Sequence, residues 1–136
     1  MSPAIPAVVL GASGYVGGEL LRLIAAHPNF ELAAAVSDSR SSSRIGETFG
    51  QLAQAYSGAA FVGRNDWIDK VESGSSLALF SAAPHGASAA VIANALLATG
   101  TRNIDMHVVD SSADFRYARQ DDYEAVYSTQ HGAPQL

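Results

Sequence analysis

The chain contains no cysteine. Disulfides, cysteine-ligated metals and a thiol nucleophile are therefore excluded within its 136 residues. Charge is also sparse. Only 15% of residues are Asp, Glu, Lys or Arg, and the 8 basic residues are outnumbered by 13 acidic ones. The net charge is −5 and the sequence pI about 5.1, with no basic cluster anywhere. That pattern argues against nucleic acid and against anionic membrane surfaces as partners. Long apolar spans are missing too. Residues 73–101 carry no Asp, Glu, Lys or Arg, but Pro84-His85-Gly86 breaks them in the middle. They read as a buried strand and a small-residue helix rather than a membrane span. The first basic residue is Arg22, so no secretory leader is visible. No membrane and a cytoplasmic location are expected.

Hydrophobic residues make up 48% of the chain, enough for one domain with a real core. Organisation starts at Gly11-Ala12-Ser13-Gly14-Tyr15-Val16-Gly17. An apolar run precedes this stretch at residues 4–10, and an amphipathic segment follows at 15–27. Strand, glycine turn and helix make the opening of a dinucleotide-binding βα unit. The helix N-terminus would offer unpaired N–H groups and a partial positive charge to phosphates. The spacing departs from G-x-G-x-x-G, because position 12 is Ala. An ordinary tight turn is the competing interpretation. Two features favour nucleotide binding over it. Gly17 and Gly18 both sit inside the helix, where each costs about 1 kcal/mol relative to Ala, so the backbone is expected to lie close to something. Val16, Leu20, Leu23, Ile24 and His27 also share one helical face.

A second strand is expected over residues 31–37, and a serine-rich loop follows at 37–44. Ser37 stands twenty residues past Gly17, where NAD-binding folds often place an acid for the ribose 2′-OH. Ser37, Ser39 and Arg40 would instead suit a 2′-phosphate, since guanidinium makes paired charge-assisted hydrogen bonds. Asp38 is the counter-evidence and would serve NAD. Further along, a short helix is expected after Thr48, a short strand at 59–63, and a helical turn at 67–72 capped by Asp66 with Trp67 as packing. Residues 77–81 read as a strand buried on both faces. A helix at 87–99 ended by Gly100 and a strand at 107–110 complete the alternation.

The fold class that follows is α/β: Rossmann-like, a mostly parallel open sheet with helices on both faces. Ligands in such sheets sit at the carboxyl ends of the strands. Two loops leave those ends. One is Ala82-Ala83-Pro84-His85-Gly86-Ala87-Ser88, the other Asp110-Ser111-Ser112-Ala113-Asp114-Phe115-Arg116. His85 reads slightly better as a capped loop histidine than as a functional one. Asp110 and Asp114 read equally well as turn-forming and capping residues. Arg116 is the best candidate for an anionic substrate, against a surface ion pair with Asp114 or Asp121. From the residues alone, this is a dinucleotide-binding α/β domain with an anion site.

Residues Gly11-Ala12-Ser13-Gly14-Tyr15-Val16-Gly17-Gly18-Glu19-Leu20-Leu21-Arg22, with Ala83-Pro84-His85-Gly86-Ala87-Ser88 and Val109-Asp110-Ser111-Ser112-Ala113-Asp114-Phe115-Arg116, resemble three segments of N-acetyl-γ-glutamyl-phosphate reductase. His131-Gly132-Ala133-Pro134-Gln135-Leu136 is similar to that family's Tyr-Gly-Leu-Pro-Glu-Leu, with substitutions at His131, Ala133 and Gln135. The resemblance implies NADP as cofactor and reductive dephosphorylation of an acyl phosphate to a semialdehyde in arginine biosynthesis. It implies cofactor contacts by Gly11, Ser13, Gly14, Tyr15, Val16, Ser37, Ser39, Arg40, Ala83, Pro84, His85 and Gly86. It implies substrate contacts by Ser112 and Arg116. The family's nucleophile is a cysteine beyond its Tyr-Gly-Leu-Pro-Glu-Leu segment, and a second-domain histidine assists it. None of His27, His85, His107 or His131 matches that histidine, so no catalytic residue and no metal are assigned here. Residues 1–136 are expected to form one NAD(P)-binding domain. The missing C-terminal catalytic half is its expected partner, in a homo-oligomer when complete. A stand-alone dinucleotide-binding module and a related aspartate-semialdehyde-type dehydrogenase are the alternatives.

Overall fold

Ala7, Val8, Val9 and Leu10 are all 0–1% exposed in β1 (Ile5–Leu10). Alternate side chains of a strand point to opposite faces. Val8 and Leu10 accordingly join one core cluster, and Ala7 and Val9 join another. A strand buried on both sides belongs in the middle of a covered sheet. The computed structural model, which describes residues 3–112, 114–115, 120–121 and 131–136, places it there.

The chain continues through α1 (Tyr15–Ala26), β2 (Phe30–Val36), α2 (Ile45–Thr48), β3 (Ser76–Ser81), α3 (Ser88–Gly100) and β4 (Asp105–Asp110). The strand order is β2-β1-β3-β4, and every pairing is parallel. Val62 forms one more parallel bridge, to Val36 on the outer side of β2. Counting that stub, the order becomes stub-β2-β1-β3-β4. The chain winds outward in one direction from β1 and then restarts on β1's other side. The reversal lies between β1 and β3, which is where such sheets hold their ligands. The expected strand at 59–63 is thus reduced to two isolated bridges, Val62 to Val36 and Ala60 to Arg44.

One core face holds Leu77, Leu79, Trp67, Val71 and Ala95 with Val8 and Leu10. The other holds Leu21, Ile24, Ala35, Ile45, Leu52 and Phe61 with Ala7 and Val9. Trp67 is packing, as its sequence context suggests. Its short helical turn runs Trp67–Lys70, and Asp66 makes no side-chain cap there.

Three local expectations are corrected. The buried face of α1 is Gly17, Gly18, Leu21 and Ile24, while Val16 and Leu23 are 51% and 54% exposed. A Cβ on Gly17 would sit 2.6 Å from the Ala12 carbonyl, and one on Gly18 would sit 2.6 Å from the Phe49 ring. The glycines face inward because only they allow that approach, and they turn Val16 and Leu23 outward. The close neighbours are thus parts of the protein. His27 falls outside α1 and packs its ring 4.6 Å from Phe30. A short helix does follow Thr48, as the 3-10 turn Gly50–Leu52 with Leu52 buried, and α2 adds a turn ahead of it because fully buried Ile45 is drawn into the core. Gly100 is the last residue of α3, not a left-handed terminator. Thr99 and Thr101 donate to the Ala95 and Ala98 carbonyls, and the left-handed residue is Asn103. Among the described residues no helix is long and apolar enough to cross a membrane.

The Gly17→Ala variant forces a methyl onto unyielding backbone, and overpacking of this kind costs about 1–3 kcal/mol. Gly18→Ala meets a side chain that can swing, and better helix propensity offsets part of the cost. Thermal melts should show a large drop for the first and a small one for the second. Equal drops would contradict the packing described. Tyr56 ties the segment after α2 to α1 by donating its hydroxyl to the Leu21 carbonyl at 2.5 Å. Burial pushes its pKa up to about 12 from 10.0. The neutral phenol is the stabilised form, so its contribution is whole below pH 10 and is lost as pH rises through about 12. Denaturant titrations at rising pH should show a shallower alkaline loss for Tyr56→Phe than for the parent chain.

Candidate functional site

Gly11 turns the chain out of β1 with φ +67, a conformation that favours glycine. A Cβ there would lie 2.6 Å from the Ala82 carbonyl. Two hydrogen bonds fasten this turn to its neighbours. Ala12 N donates to Val36 O at 3.0 Å, and Ala82 N donates to Leu10 O at 2.8 Å. The exits of β1, β2 and β3 are thereby locked side by side. Above them opens a cleft of about 420 Å³, lined by Gly11, Ser13 and Gly14 on its floor. Val36, Ser37, Asp38, Ser39 and Arg64 form one flank, and Ala82, Ala83 and Pro84 the other.

The floor suits an anion. The first turn of α1 has no capping side chain and no acidic residue. Its orphan N–H groups and positive dipole end remain for a ligand. The β2 flank carries hydroxyls in a row: Ser13 Oγ lies 2.8 Å from Ser37 Oγ, which lies 3.4 Å from Ser39 Oγ. Arg40 contributes its backbone N–H, 3.3 Å from Ser37 Oγ. Asp38 is held by Arg64 twice. Its Oδ1 accepts the Arg64 N–H at 2.9 Å, and its Oδ2 lies 3.0 Å from Nε.

The other loop is ordered by buried Asp114, half-buried Asp110 and serines. Asp114 is 1% exposed, and its carboxylate accepts Gly86 N–H at 2.7 Å and Ala89 N–H at 2.8 Å. It caps α3 from a distant segment, since Ala87 at the helix start supplies no cap. Asp110 accepts from Ser88 Oγ at 2.8 Å, from Ser112 N at 2.9 Å and from Ser112 Oγ at 2.8 Å. The single Ser88 hydroxyl proton goes to Asp110, so Ser81 donates across the 2.6 Å contact between the two serines. His131 Nδ1 accepts Ala133 N–H at 3.1 Å, which leaves the proton on Nε2 to donate to the Asp114 carbonyl. The capping reading of Asp110 and Asp114 is thus the one the geometry carries.

Of the residues expected from sequence, Gly11, Ser13, Gly14, Ser37, Ser39, Ala83 and Pro84 come together around the cleft. Tyr15 and Val16 stand on the first turn of α1, 97% and 51% exposed, and outside the lining. Arg40, His85 and Gly86 lie beside it rather than in it. Ser112 is engaged by Asp110. Arg116 lies outside the described residues. Sequence reasoning missed Arg64. It follows Gly63 at the end of the stub beside β2, so the strand-end rule applied there would have found it.

A parallel sheet with this reversal point, a glycine turn beneath an uncapped helix N-terminus and a cleft over the strand ends define a dinucleotide-binding domain. The family model described as semialdehyde dehydrogenase, NAD binding domain, matches residues 6–132, and the chain belongs to that family. N-acetyl-gamma-glutamyl-phosphate reductase of Azotobacter vinelandii is 39% identical over 128 residues, covering 94% of this chain and 34% of that protein. The Rhodobacter capsulatus protein of the same name is 41% identical over 132 residues, again covering 94% and 34%. The chain therefore spans about a third of the length of these curated relatives. Aspartate semialdehyde dehydrogenase from Candida albicans, solved with NADP, superimposes with a TM-score of 0.63 at 21% identity. It covers 86% of this chain and 32% of that one, a likeness of fold.

Removing the Asp114 carboxylate strands two backbone donors at the start of α3. Asp114→Ala should cost about 2 kcal/mol, the upper range for a lost helix cap, and Asp114→Asn less. Urea titration checks this, and a variant as stable as the parent would show that the cap carries no weight.

Proposed function

We propose that residues 1–136 are the NADPH-binding domain of an N-acetyl-γ-glutamyl-phosphate reductase. One observation carries this reading: the glycine floor, the serine-and-arginine flank and the Ala83-Pro84 flank meet in a single cleft at the sheet's reversal point. The residues present fit a dinucleotide. Backbone N–H groups of the glycine turn and the first turn of α1 would hold the pyrophosphate. Ser13, Ser37 and Ser39 would meet the phosphorylated ribose. Ala83 and Pro84, with His85 and Gly86 behind them, would line the nicotinamide half. When bound, NADPH supplies the hydride for reduction.

The relatives' names supply the substrate class, an acyl phosphate, and the family pattern gives Ser112 and Arg116 the role of meeting it. Asp114 and Asp110 hold the nicotinamide-side loop in place through Gly86, Ala89 and Ser88. This chain provides binding and orientation. The thiol that attacks the acyl phosphate is not among its residues, since it has no cysteine.

The chain should quench and shift NADPH fluorescence on titration, and bind NADPH about tenfold or more tightly than NADH, the scale of one charged phosphate contact. With acyl phosphate added it should show no turnover. Absence of binding to either cofactor would overturn the assignment, and steady turnover by the chain alone would overturn the account of the nucleophile.

A further inference from the structure

The dinucleotide reading leaves Asp38 unexplained. A carboxylate at the end of the second strand is suited to the 2′-OH of NAD and repels a 2′-phosphate. Here that carboxylate lines the cleft. Its two oxygens are both engaged by one residue: Arg64 N–H at 2.9 Å and Arg64 Nε at 3.0 Å. A backbone donor and one guanidinium nitrogen together tether the acid at both oxygens, and the guanidinium neutralises it. The pair rests on the geometry of the stub. Ser37 N donates to Val62 O and Val62 N donates to Ala35 O, each at 2.9 Å, which brings residues 63–64 alongside 37–38. Arg64 also lines the cleft. Nε is spent on Asp38, and the two Nη groups make no hydrogen bond among the described residues. Arg40, the guanidinium singled out from sequence, is outside that lining.

We propose that Arg64 is a specificity-determining residue of the cofactor site: it masks Asp38 and presents its Nη groups to the 2′-phosphate, so that an acid suited to NAD sits inside an NADP site. This rests on the dinucleotide reading above and adds to it. The ligand group is a phosphomonoester on the adenosine ribose, beside the Ser13, Ser37 and Ser39 hydroxyls. Arg64 acts twice. It supplies donors to the phosphate and cancels the charge that would repel it. Its removal therefore costs more than one contact, because a bare carboxylate is left facing the phosphate. The same bare carboxylate is free to accept the 2′-OH of NADH.

The test is a titration of the parent chain, Arg64→Ala and Asp38→Asn/Arg64→Ala with NADPH and with NADH, read by cofactor fluorescence. Both side chains are more than half exposed, so the variants should fold. Arg64→Ala should lose about tenfold or more in NADPH affinity while NADH binding holds or tightens. The double variant should recover part of the NADPH loss and forfeit any NADH gain, the signature of coupled residues. An unchanged NADPH-to-NADH ratio in Arg64→Ala would overturn the proposal and leave the pair as a latch between the stub and β2. So would a double variant that binds NADPH no better than the single one. A parent chain that binds neither cofactor would instead bring down the dinucleotide reading itself, and this proposal with it.

Discussion

A hydrogen in place of a side chain at Gly17 lets α1 rest on the Ala12 carbonyl, backbone against backbone. Much else depends on that approach. It sets how far α1 sits from β1, and it sets the helix's rotation. Leu21 and Ile24 turn into the core behind Gly17, and Val16 and Leu23 turn out. It also aims the first turn of α1 over the exits of the sheet, so that its unpaired donors face the cleft. Ala12 belongs to the same contact. Its methyl is fully buried in the cluster with Leu21 and Ile45. The alanine at this position, which departs from the glycine fingerprint, is therefore spent on the core and does not intrude on the cleft.

The two flanks of the cleft are built by different physics. The glycine side relies on close apolar packing, where shape decides. The α3 side relies on a polar network of buried Asp114, Ser81 and Ser88 with half-buried Asp110, in which each proton has an assigned acceptor. Among the described residues no buried side-chain nitrogen or oxygen lacks a partner. Such networks are rigid when complete and costly when a member is lost. Rigidity is useful on that side, because Ala83 and Pro84 reach the cleft from a loop that has no sheet partner of its own. The loop is held from behind, at Gly86 and Ala89, by a carboxylate that arrives after β4.

The parallel sheet was legible because the unbroken apolar runs of Ala7 to Leu10 and of β3 state burial directly, whereas its strand order came only with the structure. The cleft floor was legible from Gly11 and Gly14, whose type is tied to a backbone task. The face of α1 was not. Hydrophobicity pointed to Val16 and Leu23, and only the distance from Gly17 to the Ala12 carbonyl says that glycine, not valine, faces the core. Arg64 was passed over for a different reason. A short strand at 59–63 was expected, but its place beside β2 comes from the bridge between Val62 and Val36, a long-range pairing that local pattern does not state. Asp114 could be read as a cap in kind, but not as the cap of a helix that begins well before it in the chain.

A floor of backbone donors reads any pyrophosphate alike, whichever nucleotide carries it, so choice among cofactors has to be made at the strand ends. Those ends are where this sparsely charged chain places an ion pair between the segment after β2 and the one after the stub, Asp38 with Arg64. An exposed pair of this kind contributes little to stability, on the order of 0–1 kcal/mol. It can still govern selectivity, because a ligand phosphate responds to the net charge it meets, and that net charge changes by one unit when either member is lost. Stability and specificity are thus carried by separate residues in this domain. Glycines and buried hydrogen bonds hold the cleft open, and a solvent-exposed pair at its rim sets what may enter it.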